Sequence, residues 1–328
     1  MLNPSIADVE HALFEDRTVV RHHAMRRTIW VTQVKPCFPA KMQKRHSISK
    51  PPGSPRGLSH PGTTKTGFNR WMAGIVDPYS PICPHHIRFE VMRMWWRNLT
   101  FIHWPVEPSD VQSLLPEGLG VDTHDGQAWV GLVPKPYTTE MDTAIPPGGI
   151  PIPREGRFPE TNVRTYVRGL DGTPGVWFHS LEAGRLSATA MARAAYGLPY
   201  FWADMSATAA GPIWAYRSQR RWPGPKGTSN ATAVEVGERI DDADQTPLEH
   251  FLTARWGLFS TFGKGDRERL LYAPVEHGVW PLQRATVVHL HDELVTAAGY
   301  RNPESEPLVH FTTGTEVRIG RPQLVRTS

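Results

Sequence analysis

Apolar and polar positions alternate with a period of two through most of the second part of this chain, and helical spacing is brief. Across Met94–Trp104, Leu99, Phe101 and His103 alternate with Asn98, Thr100 and Ile102, which predicts a strand ended by Pro105. Ser109 or Asp110 can cap a short helix ending at Leu115-Pro116. A His124-Asp125-Gly126 turn then joins Gly120–Asp122 to Gln127–Val133 as a second hairpin, with Trp129 as core or cavity wall. The central hairpin joins FPETNVRTYV to GVWFHSLEA about Asp171-Gly172, a dipeptide suited to a two-residue type I′ turn. That turn sets Val167 opposite Val176, Tyr166 opposite Trp177, Arg164 opposite His179 and Asn162 opposite Leu181. Glu160, Asn162, Arg164, Tyr166, Trp177 and His179 then share one face. Val163, Thr165, Val167, Val176 and Phe178 share the other.

A helix follows, with Leu186, Ala190, Arg193 and Gly197 on one stripe. Further strands are expected over Ala207–Trp222 and Asn230–Ile240. Thr246-Pro247 should open a helix, since proline suits a first turn. A hairpin of Trp256–Phe262 and Leu270–Glu276, a strand Ala285–Leu290, a helix Asp292–Ala298 and a strand Leu308–Arg318 complete the pattern. Several hairpins with few helices imply an α+β fold, a mostly antiparallel barrel or sandwich with inserted helices.

Charge divides the chain in two. Residues 1–91 hold 13 Lys+Arg against 6 Asp+Glu, a net of +7; the remaining 23 and 26 give residues 92–328 a net of −3. The basic quarter is rich in Pro, Gly, Ser, Lys and His and lacks sustained periodicity beyond a short helix near Ser5–Phe14. It reads as an extension that is disordered or untranslated, with a start at Met92 or Met94. It lacks the interleaved aromatics of a nucleic-acid stacking platform, and acidic residues near the start disfavour a mitochondrial presequence. Residues 92–328 form the folded domain. Both cysteines, Cys37 and Cys83, precede it, so thiol chemistry is not expected there. No apolar run approaches 18 residues and no signal peptide is visible, so no membrane partner is expected and the location reads as cytoplasmic. Homo-oligomerisation is left open.

The polar, aromatic-rich face of the hairpin is either a solvated face or the wall of a wet cavity where polar groups converge. Arg193 sits among small residues and needs a carboxylate, with Glu160 a candidate, unless it extends to solvent at the helix end. Arg217, Arg220 and Arg221 form a basic cluster at a strand end. His277, His289, His291 and His310 raise the question of zinc, but no HExxH or CxxC spacing supports it, so neither metal nor cofactor is expected. GxSxG, Walker and GxGxxG patterns are missing. Residues 134–157, with six prolines and three glycines, read as a long loop. Lys135 at its start is a surface lysine or an amine available for chemistry.

Several stretches from Trp95 onward carry a resemblance: LTFIHWPVEP, LLPEGLGVDTHDGQAWVGLVP, FPETNVRTYV, GVWFHSLEA, ARAAYGLPYF, YRSQR, FLTARWGLF and HGVWPLQRA. In this order they resemble the bacterial YqjF-like family, a domain of unknown function, which is similar in turn to acetoacetate decarboxylase. That likeness implies a closed, mostly antiparallel barrel-like sheet around a cavity. In the decarboxylase the counterpart of Ala192–Phe201 reads Gly-Arg-Glu, a spacer, an aromatic, Pro and two lysines, one of which forms a Schiff base. Arg193 matches the arginine and Pro199 the proline. Ala194 replaces the glutamate, and Tyr200 and Phe201 replace the lysines. A phenol cannot form an imine, so Schiff-base decarboxylation at that position is not implied, and Lys135 is the candidate replacement amine.

Two functions follow from the residues. One is a small-molecule-binding barrel that holds a carboxylate through Arg164 or Arg193. Asn162, Tyr166, Trp177, Tyr200, His277 and Trp280 would complete the binding wall. The other is a lysine-independent lyase or isomerase acting on a small keto or enol acid, with Glu160 or His179 as acid/base.

Overall fold

The computed structural model describes residues 79–325 apart from 139–141, 144–149, 152–156 and 264–267, together with two N-terminal strands. Those strands, β1 (Val19–His23) and β2 (Thr28–Thr32), pair antiparallel as a ribbon of their own. The expected helix at Ser5–Phe14 lies outside the described residues.

The folded part opens with β3 (Glu90–Val106), α1 (Pro108–Ser113), β4 (Leu119–Val121) and β5 (Ala128–Thr138). Two short strands, β6 (Asp142–Thr143) and β7 (Ile150–Pro151), precede the long hairpin of β8 (Phe158–Gly169) and β9 (Pro174–Ala183). Then come α2 (Leu186–Tyr196), β10 (Tyr200–Ala210), β11 (Ile213–Trp222), β12 (Ser229–Arg239) and α3 (Pro247–Thr253). The chain continues through β13 (Gly257–Phe262), β14 (Arg269–His277), β15 (Leu282–Asp292), α4 (Leu294–Ala297), β16 (Leu308–Gly320) and β17 (Gln323–Leu324).

The strand pairings close on themselves twice. One circuit runs β3-β5-β8-β9-β10-β11-β12-β15-β16 and returns to β3. The smaller runs β3-β5-β8-β9-β13-β14-β16 and also returns to β3. The sheet is therefore closed and barrel-like, and mostly antiparallel; β9 pairs parallel with β10 and β13. Two strands branch. One edge of β9 serves β13 at Val176 and Trp177 and β10 at Leu181–Ala183. One edge of β16 serves β15 at residues 310–312 and β14 at residues 317–319.

The shared wall is buried on both faces, so alternation there sorts side chains between two cores. Leu99, Phe101, Val133, Tyr166 and Val317 pack with Leu258, Ala273 and Val275 of β13 and β14, on the side of the smaller circuit. Ile102, Trp104, Val130, Leu132 and Val163 pack with Tyr216 and Val234 of β11 and β12, on the side of the larger. Burial of this kind, at ~25 cal/mol per Å² of apolar surface, is the main stabilising term.

Five local expectations are corrected. Gly120–Asp122 and Gln127–Val133 do not form a hairpin, because β4 pairs with β8 while β5 pairs with β3 and β8. Ala207–Trp222 is two strands, β10 and β11, turned at Gly211 with φ 59°. The supposed loop from Pro134 begins as strand, because β5 continues to Thr138 on β3 and β8. The cap of α1 is Glu107, with no side-chain hydrogen bond, rather than Ser109 or Asp110. Gly197 is not on the stripe of α2 but ends the helix at φ 63°. Thr246-Pro247 opens α3 as the sequence reads, and Thr246 and Glu249 form a reciprocal capping box across that first turn. No helix among the described residues is long and apolar enough to cross a membrane. Nor do three or more His, Cys, Asp or Glu side chains gather there in a metal-binding group.

Candidate functional site

The register of the β8–β9 hairpin decides what faces inward, and it differs from the expected one. Only Gly172 has positive φ, whereas a type I′ turn needs two such residues. Gly172 N–H instead donates to Gly169 O, which makes a three-residue loop and slides the turn-proximal half by one residue. Tyr166 lies opposite Val176, and Arg164 opposite Phe178. A one-residue slip moves side chains to the other face. A bulge at His179 then restores the register, so Asn162 pairs with Leu181 as expected. Trp177 and His179 are consequently not on the face of Glu160, Asn162, Arg164 and Tyr166; Phe178 is.

That inner face opens on a cavity of about 60 Å³. Met92, Met94 and Trp96 come to it from β3, Phe158 and Glu160 from β8, and Phe178 and Leu181 from β9. Ala188 and Ala192 let α2 lie close over it, and Leu258 and Ile319 close the far wall. At ~10–15 Å³ per water on this measure, the space suits a ligand of roughly four to six heavy atoms.

The polar end of the chamber is built from three strands. Lys135 on β5 is the direct cross-strand partner of Glu160 on β8. Its Nζ lies 2.6 Å from Glu160 Oε1, and each side chain is 3% exposed. The ammonium also sits 4.1 Å from the centre of the Trp96 ring. Tyr200, at the start of β10, donates from Oη to Glu160 Oε2 at 2.8 Å. Asn162 Nδ2 reaches Glu160 Oε1 at 3.5 Å, while its Oδ1 is buried without a partner. Burial pushes the Lys135 amine below the ordinary lysine range, opposed by Glu160 and reinforced by Arg164. Burial and the Glu160 carboxylate hold the Tyr200 phenol well above its usual range, so it remains a donor.

Behind the chamber lies a second buried layer. Arg164 Nη2 donates to Leu252 O at 3.2 Å, and its guanidinium stacks 5.2 Å from the Phe101 ring. Its Nε is buried and unpartnered. Tyr166 Oη donates to the same carbonyl at 2.6 Å, so the 2.7 Å contact with His103 is a donation from His103 Nε2. His103 is held neutral by burial, with the charges of Arg164 and His310 adding to the effect. His277 packs 4.3 Å from Trp256 and 4.9 Å from Trp280, and burial lowers it to about 4. Trp280 donates to Thr253 O at 3.1 Å and stacks on Trp96. Arg164, Tyr166, His277 and Trp280 thus support the chamber without lining it.

Three expected residues stand elsewhere. His179 faces the larger circuit, where its Nε2 meets Tyr300 Oη at 2.8 Å and burial lowers its pKa to about 4. With Trp177 it lines a separate cavity of about 220 Å³ beside Gly197 and Pro199. Arg193 is exposed; its Nη1 donates to the Tyr200 carbonyl at 2.8 Å, and the partner of Glu160 is Lys135 instead. Lys135, flanked by Pro134 and Pro136, is the chamber residue that sequence reading left between two interpretations. Its signal was faint: an unbroken apolar strand running into it from Trp129.

A closed antiparallel sheet around a small chamber roofed by one helix is an acetoacetate decarboxylase-like fold. It is similar to an acetoacetate decarboxylase-like enzyme from Sphingomonas wittichii RW1, with TM-score 0.52 and 13% identity over 73% of this chain and 95% of that one. It is also similar to the enduracididine biosynthesis enzyme MppR complexed with pyruvate, with TM-score 0.51 and 15% identity over 72% of this chain and 91% of that one. The model of DUF2071, a family of uncharacterized conserved proteins, matches residues 93–316, and the chain belongs to that family. The uncharacterized protein YqjF of Bacillus subtilis strain 168 is 34% identical over 227 residues, 69% of this chain and 89% of YqjF.

Proposed function

We propose that the chamber binds a small organic molecule, with its oxygen function at Lys135 and Tyr200 and its carbon skeleton against the Met, Phe and Leu walls. The observation that carries this reading is the Lys135–Glu160–Tyr200 cluster buried at one end of an otherwise apolar, partly empty cavity. Burying two charges costs several kcal/mol per ion before their attraction is counted. Apolar side chains of the same volume would fill the space more cheaply if packing were the purpose. The pyruvate in the MppR complex supports the size of ligand inferred, since it too is a small oxo compound. A second reading, a lyase or isomerase that uses no lysine, is favoured by one contact: the Tyr200 phenol on the Glu160 carboxylate, an acid next to a base.

A ligand of about five heavy atoms binds with at most ~1.5 kcal/mol per atom, which places the affinity at micromolar or weaker. Thermal unfolding should therefore be followed at millimolar concentrations of butanone, butyrate and pyruvate. A ligand present at ~100 times its Kd adds ~2.7 kcal/mol of stability. The expected result is a rise in Tm for at least one compound that is reduced in Tyr200→Phe. Equal Tm in the presence and absence of all three sinks the reading. Product formation from the keto acid would favour the enzyme over the binder.

A further inference from the structure

Strand β9 changes neighbours halfway along. One edge pairs with β13 at Val176 and Trp177 and with β10 at Leu181–Ala183, and neither strand pairs with residues 178–180 between them. The bulge at His179 falls in that gap. Bulges re-aim side chains, and here Trp177 and His179 both come to the cavity of about 220 Å³ beside the parting strands. Ser260 and Thr261 line it from β13, and Leu114 from the end of α1.

We propose that this cavity is a second ligand site, for an uncharged aromatic molecule that carries a hydroxyl group. The site stands apart from the chamber and does not rest on the chamber's function. Three features carry the proposal. No charged side chain lines the cavity, so an ion entering it would give up its hydration with nothing in exchange. Trp177 is half-buried: it packs against the cluster of Leu119, Val167 and Phe259, and its indole also lines the cavity, where a flat ring can stack on it. His179 is held in place, since its Nε2 meets Tyr300 Oη at 2.8 Å and the two rings sit edge to face with centres 5.1 Å apart.

With Nε2 taken by Tyr300, Nδ1 is the nitrogen left for a ligand. Burial lowers the pKa of the ring to about 4, so it is neutral, and in a neutral imidazole one nitrogen donates and the other accepts. A hydroxyl group does both and fits either tautomer. The Ser260 and Thr261 hydroxyls add further uncharged partners. An aromatic wall with a few fixed polar groups is the usual make-up of a small-molecule pocket. At ~10–15 Å³ per water on this measure, the space takes up to roughly fifteen heavy atoms. Two fused rings therefore fit here and do not fit the chamber.

The probe is 2-naphthol, which has two fused rings and one hydroxyl, is uncharged at pH 7 and fluoresces. The full chain is titrated against it and binding is followed by the anisotropy of the probe. The expected result is saturable binding, weakened roughly tenfold in Trp177→Ala and in His179→Gln. Binding should be largely kept in Trp177→Phe, unchanged in Tyr200→Phe and in the presence of butanone, and far weaker for 2-naphthoate. Failure of the wild-type protein to bind overturns the proposal whatever the variants do. Equal binding by the wild type, Trp177→Ala and His179→Gln marks non-specific adsorption and also overturns it. Displacement by butanone, or loss in Tyr200→Phe, puts the probe in the chamber and overturns it again. Binding of 2-naphthoate as tight as that of 2-naphthol overturns the selection for an uncharged ligand. Thermal shifts with butanone report on the chamber alone, so the two sites stand or fall separately.

Discussion

Replacing Lys135 by methionine tests whether the chamber's ion pair is a closed electrostatic unit. The substitution keeps the length of the stem and its contact with Trp96, and removes the cation. Glu160, 3% exposed, would then face only the Tyr200 phenol at 2.8 Å and the weak Asn162 contact at 3.5 Å. Removing one partner of a buried pair typically costs ~3–5 kcal/mol, because an uncompensated charge is left behind. For a domain of this size, at ~2–4 °C per kcal/mol, the Tm should fall by roughly 6–20 °C. Adding Glu160→Gln should recover most of that loss, since the stranded charge is then gone; the double-mutant cycle should give a coupling of ~2–3 kcal/mol. The single variant should also respond to pH in a defined direction. A stranded Glu160 has its folded pKa raised above the ordinary ~4.3. Its penalty is then full above the raised value and fades as pH falls toward 4.3. Urea denaturation of the four proteins at pH 7 and pH 5 measures all of this. A single-variant loss under ~1 kcal/mol, or a double variant equal to the sum of the two singles, would refute the reasoning.

His179 and His277 are each held at about 4 by burial, so they stay neutral in the fold while the unfolded chain takes up protons below 6.5. Their contribution, roughly 3 kcal/mol each, is present above pH 6.5 and lost as pH falls toward 4; His179→Gln should flatten the slope of stability against pH in that window. In Gly197→Ala the added Cβ would stand 1.9 Å from Thr261 O at a φ of 63°, so Tm should fall and stabilisation by chamber ligands should weaken as α2 is pushed off. Thr246→Ala removes one half of the α3 capping box and should cost ~1 kcal/mol in urea denaturation.

Much of the strand pattern was legible because period-two alternation survives wherever a strand divides its residues between two environments. What alternation could not show was that both environments are interior. Polar Glu160, Asn162 and Arg164 are buried, so the face of β8 that carries them could be read as solvated when it is not. Register was the other gap. Asp171-Gly172 does mark the turn, but whether one or two residues take positive φ changes the pairing by one, and a compensating bulge at His179 has no sequence mark. Glu160 and Tyr200 do meet, whereas His179 lies on the opposite side of β9 from the expected one. Lys135 was obscured by its flanking prolines, which demote a strand by rule. Pro134 and Pro136 are nonetheless accommodated within β5.

The pairing of β3 with β16 has a consequence for how this protein is made. These are the first and the last of the long strands, and they run side by side from Glu90–Gly320 to His103–Leu308. Neither circuit can close until β16 is available to β3, so the chamber assembles only once the two ends of the folded part have met. Until then β3 and β15 present open edges, the kind of surface on which nascent chains pair with one another. Contacts so distant in sequence also slow folding. Refolding yield should depend on concentration, and a chain arrested before Leu308 should be a substrate for chaperones rather than a smaller version of the same fold.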